Sequence, residues 1–163
     1  MARTSAMKKP SPAAISGTRY FALDAKGNVM PVGNHKAVRI ENDLLARPLI
    51  VSAYHCGDEA VSFKRAAKVA EKHDAYGWDW RLPTIEEAFF IPDRSKYPAL
   101  PKEFFPDYDG GWEWIWTSTV DASAPSDYAW YVYLSYGNAH RYDQAFHGQV
   151  RAVRAGQPLA LGI

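Results

Sequence analysis

Nineteen of the chain's 23 aromatic residues lie between Tyr76 and Phe146, and all six tryptophans lie between Trp78 and Trp130. Aromatic side chains bury the most area, so such a segment builds either a dense β core or an exposed aromatic binding surface, the core being the commoner use. Charge divides at the same place. Residues 1–75 carry 12 basic and 7 acidic side chains, and residues 76–163 carry 7 and 11. A length of 163 residues is enough for one core without disulfide or metal support. With 47% hydrophobic and 23% charged residues, a disordered chain, a coiled coil and a collagen-like chain are excluded. A formal net charge of +1 provides no global field toward nucleic acid or an anionic membrane. No apolar run approaches the roughly 20 residues that span a bilayer, so membrane insertion is not expected. Cys56 is the single cysteine, which excludes an intrachain disulfide and a Cys-rich zinc site. Lys8 and Lys9 are followed by Pro10-Ser11-Pro12, not by the apolar core of a secretory signal, so the expected location is the cytoplasm or a virion.

Residues 1–17 hold two prolines, small residues and scattered positive charge, and read as a flexible arm before a single domain over 18–163. Thr18–Leu23 and Val29–Val32 flank a Gly-containing loop, Asp24 to Asn28, and predict a hairpin. Ala37–Ile40 and Leu49–Tyr54 read as two further short strands. Phe63, Ala66, Ala67 and Ala70 fall on one helical stripe and predict a helix over 63–74, with Ser62 as N-cap and Gly77 near its close. A second helix of about two turns begins at Thr84-Ile85-Glu86-Glu87, a capping-box pattern preceded by Pro83 and stopped by Pro92. Residues 93–111 form a long loop. Strands are predicted at Trp114–Thr119, Ala129–Tyr136, Ala139–Asp143 and Gln149–Arg154, with Gly137-Asn138 as the turn of the central hairpin. The expected class is α+β, with two helices packed on one mostly antiparallel, twisted sheet.

The succession Trp80-Arg81-Leu82-Pro83-Thr84-x-x-Glu87, Ile115-Trp116-Thr117-Ser118-Thr119, Ala129-Trp130-Tyr131-Val132 with Gly137-Asn138, and Val150-Arg151-Ala152-Val153-Arg154 resembles the Lcl C-terminal domain family. The resemblance covers about residues 60–156 and implies a C-type-lectin-like fold, which the formylglycine-generating enzymes share more distantly. Most of the shared residues are suited to architecture. Pro83, Thr84 and Glu87 start a helix, while Trp80, Trp116 and Trp130 are apolar anchors. Arg81, Arg151 and Arg154 can lock loops through carbonyls or through Glu87. Relatives often carry a cysteine between the last two arginines, where this chain has Ala152.

An oxidase of the formylglycine-generating kind needs paired cysteines late in the chain, which are missing here. The Glu-Pro-Asn, Gln-Pro-Asp and Trp-Asn-Asp triplets of calcium-dependent lectins are also missing. Asp121, Ser123 and Asp127 can gather round a hard cation, and His140, Asp143 and His147 offer metal or acid–base groups. Solvated loop residues are the commoner case for both sets, so no metal, cofactor or catalytic residue is assigned. What remains is a non-enzymatic recognition module that binds a glycan or a protein surface through C-terminal loops rich in Tyr, Ser, Asn and Asp. The candidate residues are Asp121, Ser123, Ser126, Asp127 and Tyr128 on one loop. Tyr136, Asn138, His140, Tyr142 and Asp143 lie around the hairpin, His147 just beyond it, and Trp112 is the tryptophan expected to be exposed. The alternative is a structural subunit of a virion or secretion apparatus, or a homo-oligomer, with the N-terminal arm threaded onto a neighbour.

Overall fold

The computed structural model describes residues 17–156, so the expected arm, Gly17 excepted, and residues 157–163 lie outside the described residues. Four strands come first: β1 (Arg19–Leu23), β2 (Val29–Met30), β3 (Ala37–Glu41) and β4 (Leu49–Ser52). Helix α1 (Phe63–Glu71), a 3-10 turn (Ala75–Gly77) and helix α2 (Ile85–Phe89) follow. Then come β5 (Trp114–Val120), β6 (Tyr128–Tyr133), β7 (Ala139–Asp143) and β8 (Val153–Ala155). The class is α+β and the strands within each sheet pair antiparallel, but the described residues form two sheets in place of the single one expected. One has the order β2-β1-β3-β4-β8 and the other β5-β6-β7. The sequence pattern could show strands but not which would pair, because pairing depends on where the long 93–111 loop carries the chain. Among the described residues no helix is long and apolar enough to cross a membrane.

Local chemistry explains most of the boundaries. Asp24 accepts hydrogen bonds on Oδ1 from the Lys26 and Asn28 amides, both at 2.9 Å, and Gly27 takes φ +82, which together close the β1–β2 hairpin. The α2 capping box forms as its sequence predicts. The Glu87 amide donates to Thr84 Oγ1 at 3.2 Å and the Thr84 amide donates to Glu87 Oε1 at 2.9 Å. Arg81 adds a fork of two bonds to the same carboxylate, at 2.6 and 2.7 Å, and holds it below its ordinary pKa against the opposing effect of burial.

Helix α1 departs from expectation at both ends. Ser62 stands at the N-cap, yet its hydroxyl makes no capping bond, and the Phe63 amide instead donates to the Gln144 carbonyl at 3.0 Å. The Arg65 amide, which the hydroxyl could have capped, donates to the Ser62 backbone carbonyl at 3.1 Å. The helix ends at Glu71, and Gly77 (φ +69) closes the separate 3-10 turn, not the helix. Within that turn Tyr76 holds φ 58 because its hydroxyl donates to the Leu23 carbonyl at 2.8 Å and accepts from the Lys36 amide at 2.9 Å.

The two ends of the β-rich segment also differ. Strand β6 stops at Tyr133, and Leu134 to Asn138 form the loop to β7, closed by Tyr133 N–H to the Asn138 carbonyl at 2.9 Å. A Cβ on Gly137 would lie 2.7 Å from Arg94 Cγ, whose guanidinium stacks 3.5 Å from the Phe89 ring centroid. The expected last strand is broken as well. Gln149 bridges Ile115 in parallel, and only Val153–Ala155 pairs in the sheet, against β4.

Alternation along β5 divides the core. Trp116 belongs to a cluster with Trp80, Leu82, Ala66, Ala70 and Val150, and Ile115 to one with Val51, Leu100, Phe105, Leu134 and Val153. Trp116 and Trp80 are the buried anchors expected, each donating its indole N–H to a carbonyl, of Val61 at 2.9 Å and of Ala75 at 3.0 Å. Trp130 is only half-buried. Cys56, fully buried, lies in the first cluster with Ala152, and burial pushes its thiol up.

Replacing Thr84 by Ala should lower stability by about 1 kcal/mol. Glu87→Ala should cost more, about 2 kcal/mol, because it removes the cap and the Arg81 partner together. Urea unfolding midpoints of the two variants provide the check.

Candidate functional site

Strand pairing puts Trp114 opposite Tyr133, Trp116 opposite Tyr131, and Tyr131 opposite His140. Paired residues share a face, so Trp114, Tyr131, Tyr133, His140 and Tyr142 rise from the same side of the three-stranded sheet. Trp116 buries its ring in the core, and the others step outward from it. Trp114 and Trp116 have ring centroids 4.9 Å apart, Trp114 and Tyr131 4.9 Å, Tyr131 and Tyr133 5.1 Å, and Tyr142 and Phe146 4.3 Å. The row continues past the strands through Trp112, 5.7 Å from Tyr133 and 5.5 Å from Tyr136, to Tyr97, 5.1 Å from Tyr136. Its outer members are open to solvent: Trp112 is 70% exposed, Tyr97 68% and Tyr136 51%. The row is both core and surface, since the same cross-strand stack begins under the fold and ends outside it.

Beside the row lies an open pocket of ≈ 340 Å³, with Trp112 and Trp114 in its lining together with His55, Asp107, Asp109, Glu113 and His147. Behind it sits Arg151, wholly buried. Its Nε donates to Glu113 Oε2 at 2.9 Å, Nη2 to Asp107 Oδ1 at 2.8 Å, and Nη1 to the Ala53 carbonyl at 3.0 Å. His55 closes the network: its amide donates to Asp107 Oδ2 at 2.7 Å, and its ring nitrogens stand 3.2 Å from Asp107 Oδ2 and 2.8 Å from Glu113 Oε1.

Burial raises the pKa of both carboxyls, but for Glu113 the His55 ring and the Arg151 charge outweigh it, and for Asp107 the Arg151 charge and the His55 amide do. Both stay below the usual carboxylate range. Burial lowers Arg151, and Glu113 and Asp107 outweigh that to hold it above its ordinary value. The groups are therefore a set of fixed, mutually paired charges that line the pocket wall.

A glycine makes room for this wall. A Cβ on Gly148 would come within 2.3 Å of Trp114 Cζ3, so the indole lies on bare backbone. Substitution at Gly148 moves the ring.

The residues singled out from sequence divide into two groups. Trp112, Tyr136, His140 and Tyr142 come together on the aromatic face, Asn138 is exposed in the adjoining turn, and His147 joins the pocket. Asp121, Ser123 and Tyr128 lie elsewhere. Tyr128 and Arg141 alternate with the aromatic residues and point to the opposite side of the sheet, where Arg141 sits 4.7 Å over the Tyr128 ring and bonds Asp121 Oδ2 at 2.8 Å. Asp121 Oδ1 accepts from the Ser123 amide and hydroxyl at 2.9 and 2.8 Å, which hold the carboxyl below its usual range with help from Arg141. Both Asp121 oxygens are thus engaged within the protein. Asp127 and Ser126 line a separate depression with Asp143, whose Oδ1 also accepts from the Ala145 amide at 2.8 Å. Among the described residues no three His, Cys, Asp or Glu side chains gather to hold a metal ion.

Sequence reasoning missed His55, Asp107, Asp109 and Glu113. Only Glu113 left a signal, as a carboxylate between Trp112 and Trp114 that needs a partner if its neighbours are buried. That partner is Arg151, which sequence reasoning placed on the last strand to lock loops through carbonyls or Glu87; it does bond a carbonyl, of Ala53, but its carboxylates are Glu113 and Asp107.

The family profile of the Lcl C-terminal domain matches residues 42–154, more than half of the chain, and the chain belongs to that family. The match starts earlier than the motifs suggested and takes in β4 and His55 as well as Arg151. No curated protein matches the chain.

Removing the Arg151 charge with Arg151→Met should cost about 3–5 kcal/mol, because two carboxylates lose their buried counter-ion. Since both carboxyls are depressed in the folded state, the network's stabilisation is complete above about pH 4–5 and is lost as pH falls through the depressed values. The gap between wild type and Arg151→Met should accordingly narrow in acid, as read from urea midpoints across pH. Gly148→Ala should leave the fold standing but shift the Trp114 fluorescence environment, which difference spectra against Trp114→Phe variants can resolve.

Proposed function

We propose that this domain is a non-enzymatic recognition module of C-type-lectin-like fold that binds a glycan on its aromatic face. The carrying observation is the row of exposed rings, Tyr97, Tyr136 and Trp112, that runs to a pocket walled by Trp114, His55, Asp107 and Glu113. A sugar presents apolar C–H faces that lie on aromatic rings and hydroxyls that donate to carboxylates and imidazoles. Membership in the Lcl C-terminal domain family and the α+β architecture support the fold assignment. The location on the aromatic face narrows the hairpin site expected from sequence and leaves out the 121–128 loop, whose polar groups are used internally.

A second reading has its own support. Exposed rings on this scale also suit a protein partner, which is what a structural or assembly subunit requires. A broad glycan array separates the two. Wild type should bind a restricted set of glycans, and Trp112→Ala/Tyr136→Ala should lose at least about tenfold in affinity without a change in melting temperature. Calcium chelation should leave binding unchanged. Wild type that binds no glycan would overturn the reading and turn attention to a protein partner on the same rings.

A further inference from the structure

We infer that the sugar selected by this pocket carries a free amine, as an unacetylated amino sugar does; the inference rests on the reading of the aromatic face as a glycan site. Asp107 and Glu113 bracket the Arg151 guanidinium and Asp109 adds a third carboxylate to the pocket lining, so three carboxylates stand against one guanidinium, an excess of negative formal charge before His55 and His147 are counted. Arg151 is wholly buried, so the positive charge lies behind the wall and the carboxylates lie at it. Asp109 is exposed, and among the described residues it forms no ion pair. Its Oδ1 accepts the Gly111 amide at 2.8 Å, and a carboxylate keeps further lone pairs beyond that bond.

The second component is aromatic. Trp112 and Trp114 both line the pocket, and an indole face is the best aromatic acceptor for an organic cation. An ammonium group on a sugar meets both features at once: its charge faces the rings and Asp109, while the C–H face of the pyranose lies along the row toward Tyr136. A uronic or sulfated sugar meets the same carboxylates as like charges and is disfavoured. A neutral or N-acetylated sugar keeps the stacking but not the charge contact.

Titration calorimetry on the full chain tests this with tri-glucosamine, tri-N-acetylglucosamine and tri-galacturonate at about pH 6, where the amine is protonated. Tri-glucosamine should bind about tenfold tighter than its acetylated counterpart, and tri-galacturonate weakest. The advantage should shrink as pH rises past the amine's pKa. The acetylated probe, which has no titrating group, corrects for any pH dependence of the protein itself. Asp109→Asn should narrow the ratio of the amine and acetylated affinities severalfold, with the melting temperature as in wild type. Equal affinities for the amine and acetylated probes, or tighter binding of tri-galacturonate, would overturn the amine preference and leave glycan recognition standing. Tighter binding of Nα-acetyl-lysine amide than of tri-glucosamine would overturn it in favour of a protein side chain. Failure of all three sugars would overturn the glycan reading itself.

Discussion

A guanidinium with no access to water connects parts of the chain that are otherwise remote. Arg151 bonds the Ala53 carbonyl just beyond β4, Asp107 in the long loop after α2, and Glu113 on the approach to β5. A buried charge of this kind is costly unless every donor is satisfied, and here the planar fork meets two carboxylates and a carbonyl together. The consequence is geometric. The 93–111 loop, folded on itself by short turns, is held against β4 and β8, and its end delivers Asp107 and Asp109 to the pocket beside the Trp112–Trp114 segment. Surface and stability therefore share one set of atoms.

The aromatic face depends on that anchoring and on small residues in the right places. Trp114 lies flat because Gly148 has no side chain, and the β6–β7 turn reaches back to Arg94 because Gly137 has none. The rings of β5, β6 and β7 pack within and across strands at 4.9–5.5 Å, so each constrains its neighbours and a ligand meets a rigid surface. Rigid aromatic residues lose little rotamer entropy on binding, and that favours recognition by contact area over recognition by adaptable loops.

Much of the local structure was legible from residues alone. The Thr84–Glu87 capping box, the Asp24–Asn28 hairpin and the buried Trp80 and Trp116 are consequences of short-range chemistry or of strong apolar character. Ser62 and Gly77 misled for separate reasons: the Arg65 amide takes the Ser62 carbonyl in place of its hydroxyl, and Gly77 ends a separate 3-10 turn. Tyr136 was read as the last residue of a strand, but the strand ends three residues earlier, and it is the turn that brings its ring to Trp112. The site was half legible. Trp112, Tyr142 and His140 were anticipated, whereas Asp121 and Tyr128 belong to the opposite side, a matter of strand register that composition does not encode.

By itself the sequence determined the helix starts, the tight turns, the β-rich character of residues 114–155 and the membership in a family, because each depends on residues close together or on motifs in order. Only the tertiary structure decided that the strands form two sheets, that β8 returns to β4, and that His55, Asp107, Glu113 and Arg151 meet at one wall. Arg151 and Ala53 are 98 residues apart, and Arg151 and Asp107 are 44 apart. A buried charge announces that it needs partners. Which partners it takes is fixed by the path of the chain between them.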